Sequence, residues 1–582
     1  MSDIITTIEV DVIIPVHNAS STVKEAVLSA LHQEIPSPPR YSPSPLLQEF
    51  LQKYSILVTV CCYNDGSKDE SLDILRQIES SRSGQNGVAK KEVVGSRSIP
   101  TTKPMEGLIP SRLIVESSED GEARGAGYAR NRAIEMNNKS LCDKKYPEKG
   151  AAEFNESSDH VEDSGSLKFL CLLDSDDVMH KHRIIEQVLY MMFMVDDKSR
   201  NRTILGSTFN RDPPDSTWHY SNWANNLTDK RLMLERYREI TILQPTWLMP
   251  FAIWSRVGGY IEAPSHDSSD TVSDVLSRFK SSGSPSLEKS CLIHPKFDTL
   301  SSLRLVEDLR FFHSHLESNG TLRVHRTALA TNTEGVLPLV TYRHVENAQS
   351  QSFRTSRKLL LQLRALAFQK SVIRVNPFWN IDEENRFVIW GCGRDGKDFF
   401  KALDQDLQER VYCFVDVDAK KLNAGYYVDT TSQRAITQEQ KSTNNDNSNS
   451  NKKKKQRATA RKIPIVHFSF LISDQREQEV VRSEWISSCT TGNNSTLGCI
   501  DKSKSGSAPH SVKKSPQPKK KKQKVGPPVT PTAELKDRDL DRNLLSRLPV
   551  VVCVAMYRTN GVLESNVGKI GRTEGKNLWH FS

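Results

Sequence analysis

Short apolar runs alternate with apolar residues at helical spacing through the first half of the chain. Residues 10–16 and 56–63 read as buried strands, and residues 20–33 between them set Val23, Ala26, Val27, Ala30 and Leu31 on one helical face. After the second strand, NDGSKDE places Ser67 and Glu70 at capping-box separation, and Leu72, Leu75 and Ile78 form the inward face of the helix that follows. Residues 113–115 give a short strand, and GAGYARNRAIE opens another helix. Residues 169–173 form a strand ending in Asp174-Ser175-Asp176-Asp177, and Ile184, Ile185, Val188, Leu189 and Met192 fit one more helix. Strands alternating with helices predict a mostly parallel α/β sheet covered on both faces.

The same alternation restarts near residue 386. Residues 387–390 read as a strand, GCGRDG follows, then an apolar helix with Phe399, Phe400 and Leu403, and a strand over 411–415 that ends at Asp416. Further strands are predicted over 463–468 and 550–556. The expected organisation is a first domain over 8–375 and a smaller α/β Rossmann-like domain over 386–582. Segments near 35–50, 80–110, 137–166, 262–301, 430–461 and 488–541 are polar or proline-rich and read as disordered insertions.

A length of 582 residues requires more than one core. No apolar run is long enough to span a bilayer, and the acidic N-terminal residues Asp3, Glu9 and Asp11 do not read as a secretory signal, so a cytoplasmic chain with no membrane partner is expected. No obligate protein partner is inferred. Ten cysteines without a CxxC spacing read as reduced, buried thiols. The net charge of +9 permits a polyanionic partner without demanding one. Part of the excess lies in Lys452–Lys455 and in Lys519–Lys522 with Lys524; PKKKKQKV reads as a nuclear localisation signal, an RNA tether or a solvated stretch.

The acidic residues carry the candidate chemistry. Asp65 follows one predicted strand, and Asp174 and Asp176 follow another. In an open α/β sheet, ligands bind beyond the carboxyl ends of the strands, which would bring these groups to one crevice. Two carboxylates spaced DxD suit a hard divalent cation that shares its shell with phosphate oxygens. GCGRDG has the GxGxxG form after a strand. It fits a dinucleotide site, or glycines that only permit a tight strand-to-helix turn.

The motifs VIIPVHNASSTVKEAVLSALHQ, YNDGSKDES, GYARNRAIE, LCLLDSDD and VEDLRFF, in this order, resemble those of the family 2 glycosyltransferases. The resemblance implies a Rossmann-like nucleotide-diphospho-sugar transferase domain, inversion at the anomeric carbon and a divalent cation, Mn2+ or Mg2+. By it, Pro15, His17 and Asn18 line the uracil pocket, and Asp65 hydrogen-bonds the uridine. Asp174 lies near ribose and metal, Asp176 is the direct metal ligand and Arg130 lies near the donor. Asp308 takes the position of the catalytic base with Glu307 beside it on the acceptor side, although the pair also suits an ordinary helix N-terminus. His344 falls where some relatives supply a further metal ligand or phosphate contact; a structural histidine is the alternative.

RDPPDSTWHYSNWANN, LQPTWLMPFAIWSRVGGY, RFVIWGCGRDGKDFF, FVDVDAKKLNAGYY, IPIVHF and the terminal LWHFS resemble one eukaryotic subgroup of that family, the queuosine-tRNA galactosyltransferases. This implies UDP-galactose as donor and tRNA carrying queuosine as acceptor. Trp218, Tyr220, Trp223, Trp247 and Trp254 fall in the region of the family's acceptor wall, and Trp247 and Arg211 are the acceptor-side candidates, with core aromatics as the other reading. A glycan or protein acceptor, or a non-catalytic RNA-binding scaffold, are the rival functions.

Overall fold

The computed structural model describes residues 5–37, 42–85, 107–139, 167–262, 299, 303–331, 334–344, 354–379, 384–429, 461–491, 540–554, 559 and 561–581. Most of the segments near 80–110, 137–166, 262–301, 430–461 and 488–541, and both lysine runs, lie outside the described residues. The chain divides into two compact units, one of Met1–Arg236 with Ile240–Leu363, the other of Tyr237–Glu239 with Arg364–Ser582. Among the described residues no helix is long and apolar enough to cross a membrane.

The first unit is built on strand β1 (Thr6–Val16), which pairs in parallel with β2 (Tyr54–Asn64) over its full length and with β4 (Leu167–Leu172) on its other edge. Strand β3 (Ser111–Ser117) extends the sheet beyond β2 in parallel. On the other side β8 (Leu248–Pro250) runs antiparallel to β4 and to β6 (Thr203–Ser207), and β9 (Thr321–His325) closes the edge, giving the order β3-β2-β1-β4-β8-β6-β9. A strand buried on both faces is mostly apolar, and β1 follows this from Val12 to Val16, with Asp11 the buried exception. Val10, Val12, Ile14 and Val16 join the core under helix α1 (Val23–Leu31) and helix α2 (Pro45–Lys53). Asp11 faces the opposite way, where Asn137 and Asn138 at the end of helix α4 (Ala126–Met136) donate to its carboxylate at 2.8 and 2.9 Å. Helices therefore cover both faces, as the alternation predicts.

Some local expectations change. The helix predicted over 20–33 is shorter, and the segment near 35–50 is not wholly an insertion. Ser44 caps α2 by accepting from Leu47 N, and Leu47 and Phe50 are fully buried in the core. Ser67 does not cap a helix. Its hydroxyl accepts from Asn18 N, while Asp69 accepts from the amide of Ser71, where helix α3 (Ser71–Gln85) begins. A second small sheet was not visible in the pattern. In it β10 (Val340–Arg343) pairs antiparallel with β5 (Val178–Met179) and parallel with β7 (Phe209–Asp212).

The second unit has the sheet order β13-β14-β12-β11-β15-β16, with β11 (Phe387–Trp390), β12 (Val411–Asp416), β14 (Arg461–His467), β15 (Val550–Val552) and β16 (Leu578–His580) parallel and β13 (Tyr426–Asp429) antiparallel. The predicted strand over 550–556 ends at Val552, and the terminal LWHFS supplies a strand that its short length concealed. GCGRDG turns from β11 into the helix Arg394–Ala402. Gly391 has φ +109°, and a Cβ on Gly396 would stand 1.8 Å from the carbonyl oxygen of Gly391, so both glycines are demanded by the turn. Asp416, the acid that a dinucleotide site would turn to a ribose, is 5% exposed and instead accepts from Cys392 N at 2.7 Å and from Lys421 Nζ at 2.8 Å. Its engagement favours the tight-turn reading of this motif.

Candidate functional site

The order of the first four strands creates the crevice. Strands β2 and β3 lie on one side of β1 and the parallel strand β4 on the other, so the order in which strands are added reverses between β1 and β4, and a gap opens beyond their carboxyl ends. His17 and Asn18 follow β1, Asp65 follows β2, and Asp174 and Asp176 follow β4. Pro15 is buried in β1 at no cost to the sheet. Leu173 N donates to Ile13 O, so the Pro15 nitrogen, two residues on, faces the side that β4 has already left. The first two loops are stitched together. His17 Nδ1 lies 2.7 Å from the Asp65 carbonyl oxygen, Asn18 N donates to Ser67 Oγ, and Asn18 Oδ1 accepts from Lys68 N at 2.8 Å. Asn18 adopts φ 49°, a left-handed conformation that asparagine tolerates.

Asp65 is 2% exposed, and its carboxylate receives the first amides of the loop that opens α4, from Arg124 N at 2.9 and 3.0 Å and Gly125 N at 2.7 Å. Burial raises its pKa, and these amides oppose the shift by favouring the charged form. A carboxylate has about four acceptor positions, so capping α4 leaves capacity for a ligand N–H.

Helix α4 carries the connection onward. Arg130, 4% exposed, donates through Nη2 to Asp174 Oδ1 and through Nη1 to Glu307 Oε1, both at 2.6 Å. Its guanidinium also lies over the Tyr260 ring at 5.7 Å. Glu307 and Asp308 open the helix Glu307–Glu317, where the macrodipole favours acids, and Val306 before them has φ 61°. One buried arginine thus ties the strand end at Asp174 to the first turn that bears Asp308. Glu307, expected on the acceptor side, is 6% exposed and pairs with Arg130.

Asp174, Asp176 and Asp177 offer carboxylate oxygens that lie within 4.8 Å of one another. Burial, with the charge of Asp174, pushes Asp176 up to about 6. Burial and the same neighbours hold Asp177 well above the ordinary carboxylate range. Asp177 Oδ1 accepts from Arg343 N at 2.9 Å, while its buried Oδ2 has no hydrogen-bond partner. Crowded acids with an orphaned oxygen and an all-oxygen donor set fit a hard divalent cation. Asp177 was missed by sequence reasoning because DxD spacing singles out alternate residues, whereas the turn after β4 brings the third acid back. His344 stands at the end of β10, its amide donating to Asp212 O, and the cluster does not include it.

Trp247 and Arg211, the acceptor-side candidates, are both buried. Trp247 is 0% exposed; its indole donates to Ile242 O at 2.9 Å and its ring packs beside Phe311 and Phe312. It has no face for an acceptor and belongs to the core behind the Glu307–Glu317 helix. Arg211 lies on the buried side of β7, its guanidinium 4.1 Å from the Tyr342 ring centroid, and its charge acts on Asp176 and Asp177. Trp218 is the exposed aromatic of this region, at 57%.

No family model matches the chain. Among solved structures, residues 1–349 of S. aureus TarS in complex with UDP-GlcNAc are 14% identical, over 69% of this chain and 84% of that one, with a TM-score of 0.31. The mannosyltransferase PcManGT from Pyrobaculum calidifontis, in complex with GDP-Man and Mn2+, is 12% identical over 46% of this chain and 51% of that one, with a TM-score of 0.23.

Proposed function

We propose that the chain is a metal-dependent, inverting glycosyltransferase that moves a sugar from a UDP-sugar to a hydroxyl acceptor. One observation carries the reading: Asp65 caps α4, and Arg130 of α4 grips both Asp174 and the residue next to Asp308. Asp65, Asp174 and the adjacent Glu307 and Asp308, from three distant stretches of the chain, are thereby linked through α4 beside the switch point, which supports a nucleotide site there.

The residues then divide the work. His17, Asn18 and Asp65 hold the uridine. Asp174 and Asp176, with Asp177 behind them, would hold a divalent ion, which when bound supplies positive charge for the departing diphosphate. Asp308 takes the proton of the acceptor hydroxyl as its oxygen attacks the anomeric carbon. The bond from that carbon to the diphosphate oxygen breaks on the opposite face, and UDP leaves with the electron pair. Arg130 holds Glu307 in the interior through its ion pair, and Asp308 beside it is the acid assigned to the acceptor.

The finer assignment is galactose from UDP-galactose to queuosine in tRNA. It is supported by the subgroup motifs that extend through both units, from RDPPDSTWHYSNWANN to LWHFS. The protein incubated with Mn2+ and labelled UDP-galactose, UDP-glucose or UDP-GlcNAc should label only tRNA that carries queuosine, and only from UDP-galactose. Equal label in queuosine-free tRNA, or none in either, rejects that acceptor.

A further inference from the structure

Arg211 is a cation placed where its surroundings do not explain it. It shares the buried side of β7 with Phe209, and the apolar cluster there contains Phe209, Ala224 and Val340 with Tyr220, Trp223 and Tyr342 packed against them. Its side chain is held rigidly. The guanidinium stacks on Tyr342, its cross-strand partner on β10, and Nε donates to Ser216 Oγ at 3.1 Å. Arg211 is 8% exposed, yet its Nη1 is buried with no hydrogen-bond partner. A buried guanidinium N–H left unmade is costly, and a ligand oxygen is one partner that would complete it.

The small sheet shows what that ligand faces. Thr341 of β10 pairs with Val178 of β5, which directly follows Asp177, and Asp177 accepts from the amide of Arg343, one residue beyond Tyr342. Arg211 therefore stands across two strands from the acid cluster, near enough for its charge to act on Asp176 and Asp177. Among the described residues no carboxylate pairs with it directly. An anion bridging a cation held by the acids and this N–H would satisfy both sides.

We infer that Arg211 binds the distal phosphate of the nucleoside diphosphate and stabilises the departing diphosphate during transfer. The inference rests on the donor-site reading above, and it moves Arg211 from the acceptor side, where the sequence places it, to the leaving group. A planar guanidinium with its face on Tyr342 and its Nε on Ser216 has Nη1 left to donate to a phosphate oxygen without further ordering.

The test compares uridine, UMP and UDP by calorimetric titration in the presence of Mn2+, using the full chain and the variants Arg211→Gln and Arg211→Lys. Thermal unfolding serves as the check of folding. The expected result for Arg211→Gln is a loss of UDP affinity of about ten-fold or more, a smaller loss for UMP and unchanged uridine affinity. Binding of Mn2+ alone should not weaken, because a positive neighbour of the acids has been removed. If the glutamine variant does not fold, Arg211→Lys preserves the charge but not the fork, and the same selective loss for UDP is expected. Equal losses for uridine and UDP, or no loss for UDP, overturn the inference while leaving the donor site standing. Wild-type protein with no affinity for UDP would overturn both.

Discussion

Arg130 shows how one side chain can join parts of a site that the chain keeps apart. It bridges to a glutamate 177 positions away, and its other hand is on Asp174. Breaking a buried pair by removing one partner leaves uncompensated charge, so Arg130→Met should destabilise the fold by about 3–5 kcal/mol in urea unfolding. A change under about 1 kcal/mol would show that the two acids do not depend on it. Asp176 gives a prediction in pH. Its folded pKa of about 6 stands above the ordinary unfolded value of about 3.9, so the folded state holds a proton that the unfolded state has lost between them. This contribution to stability is full below about pH 4 and is lost as pH rises through about 6. A divalent cation needs the ionised form. Mn2+ affinity, followed by titration from pH 5 to 8, should therefore rise most steeply near the pKa of Asp176, and a flat profile would remove Asp176 from the ligand set. Asp65, Asp174, Asp176 and Asp308 were legible as acids at strand or helix ends. The roles of Arg130, Glu307 and Trp247 were not, because what decides them is burial and a partner on a distant element.

At the scale of elements, the apolar runs located β1, β2, β4, β11 and β12 to within a few residues, because a strand covered on both faces has little choice of composition. Short strands carried no such signal. The sheet of β5, β7 and β10 depends on pairing partners spread over much of the unit, and it is this sheet that links the strand of Arg211 to the segment of Asp177. Helix α2 escaped notice because prolines precede it, although Pro45 stands at its first turn, where the missing amide costs nothing. The glycine turn of the second unit can be tested directly. Gly396→Ala forces a Cβ against the Gly391 carbonyl and should lower the thermal midpoint, by about 3 kcal/mol in stability, whereas a Cβ at Gly393 meets nothing, so Gly393→Ala should cost under about 1 kcal/mol. Equal tolerance at both positions would contradict the close packing described for this turn.

Across the whole molecule, two α/β sheets each have a loop at a reversal of strand order, and among the described residues it is the first that gathers the cluster of Asp174, Asp176 and Asp177. The second spends its acid, Asp416, on its own loop. A chain of net charge +9 is suited to a polyanionic acceptor without being specialised for one, so the acceptor is read from motifs rather than from electrostatics. We propose that the acids after β2 and β4 and at the start of the Glu307–Glu317 helix serve one UDP-sugar site in the first crevice. Its most direct measurement is UDP affinity with and without Mn2+, taken for wild type, Asp176→Asn and Asp308→Asn alongside sugar transfer. The account predicts that Mn2+ strengthens UDP binding to wild type, that Asp176→Asn removes this gain, and that Asp308→Asn keeps it while abolishing transfer. UDP binding indifferent to Mn2+ and to Asp176, or near-normal transfer by Asp308→Asn, would contradict it.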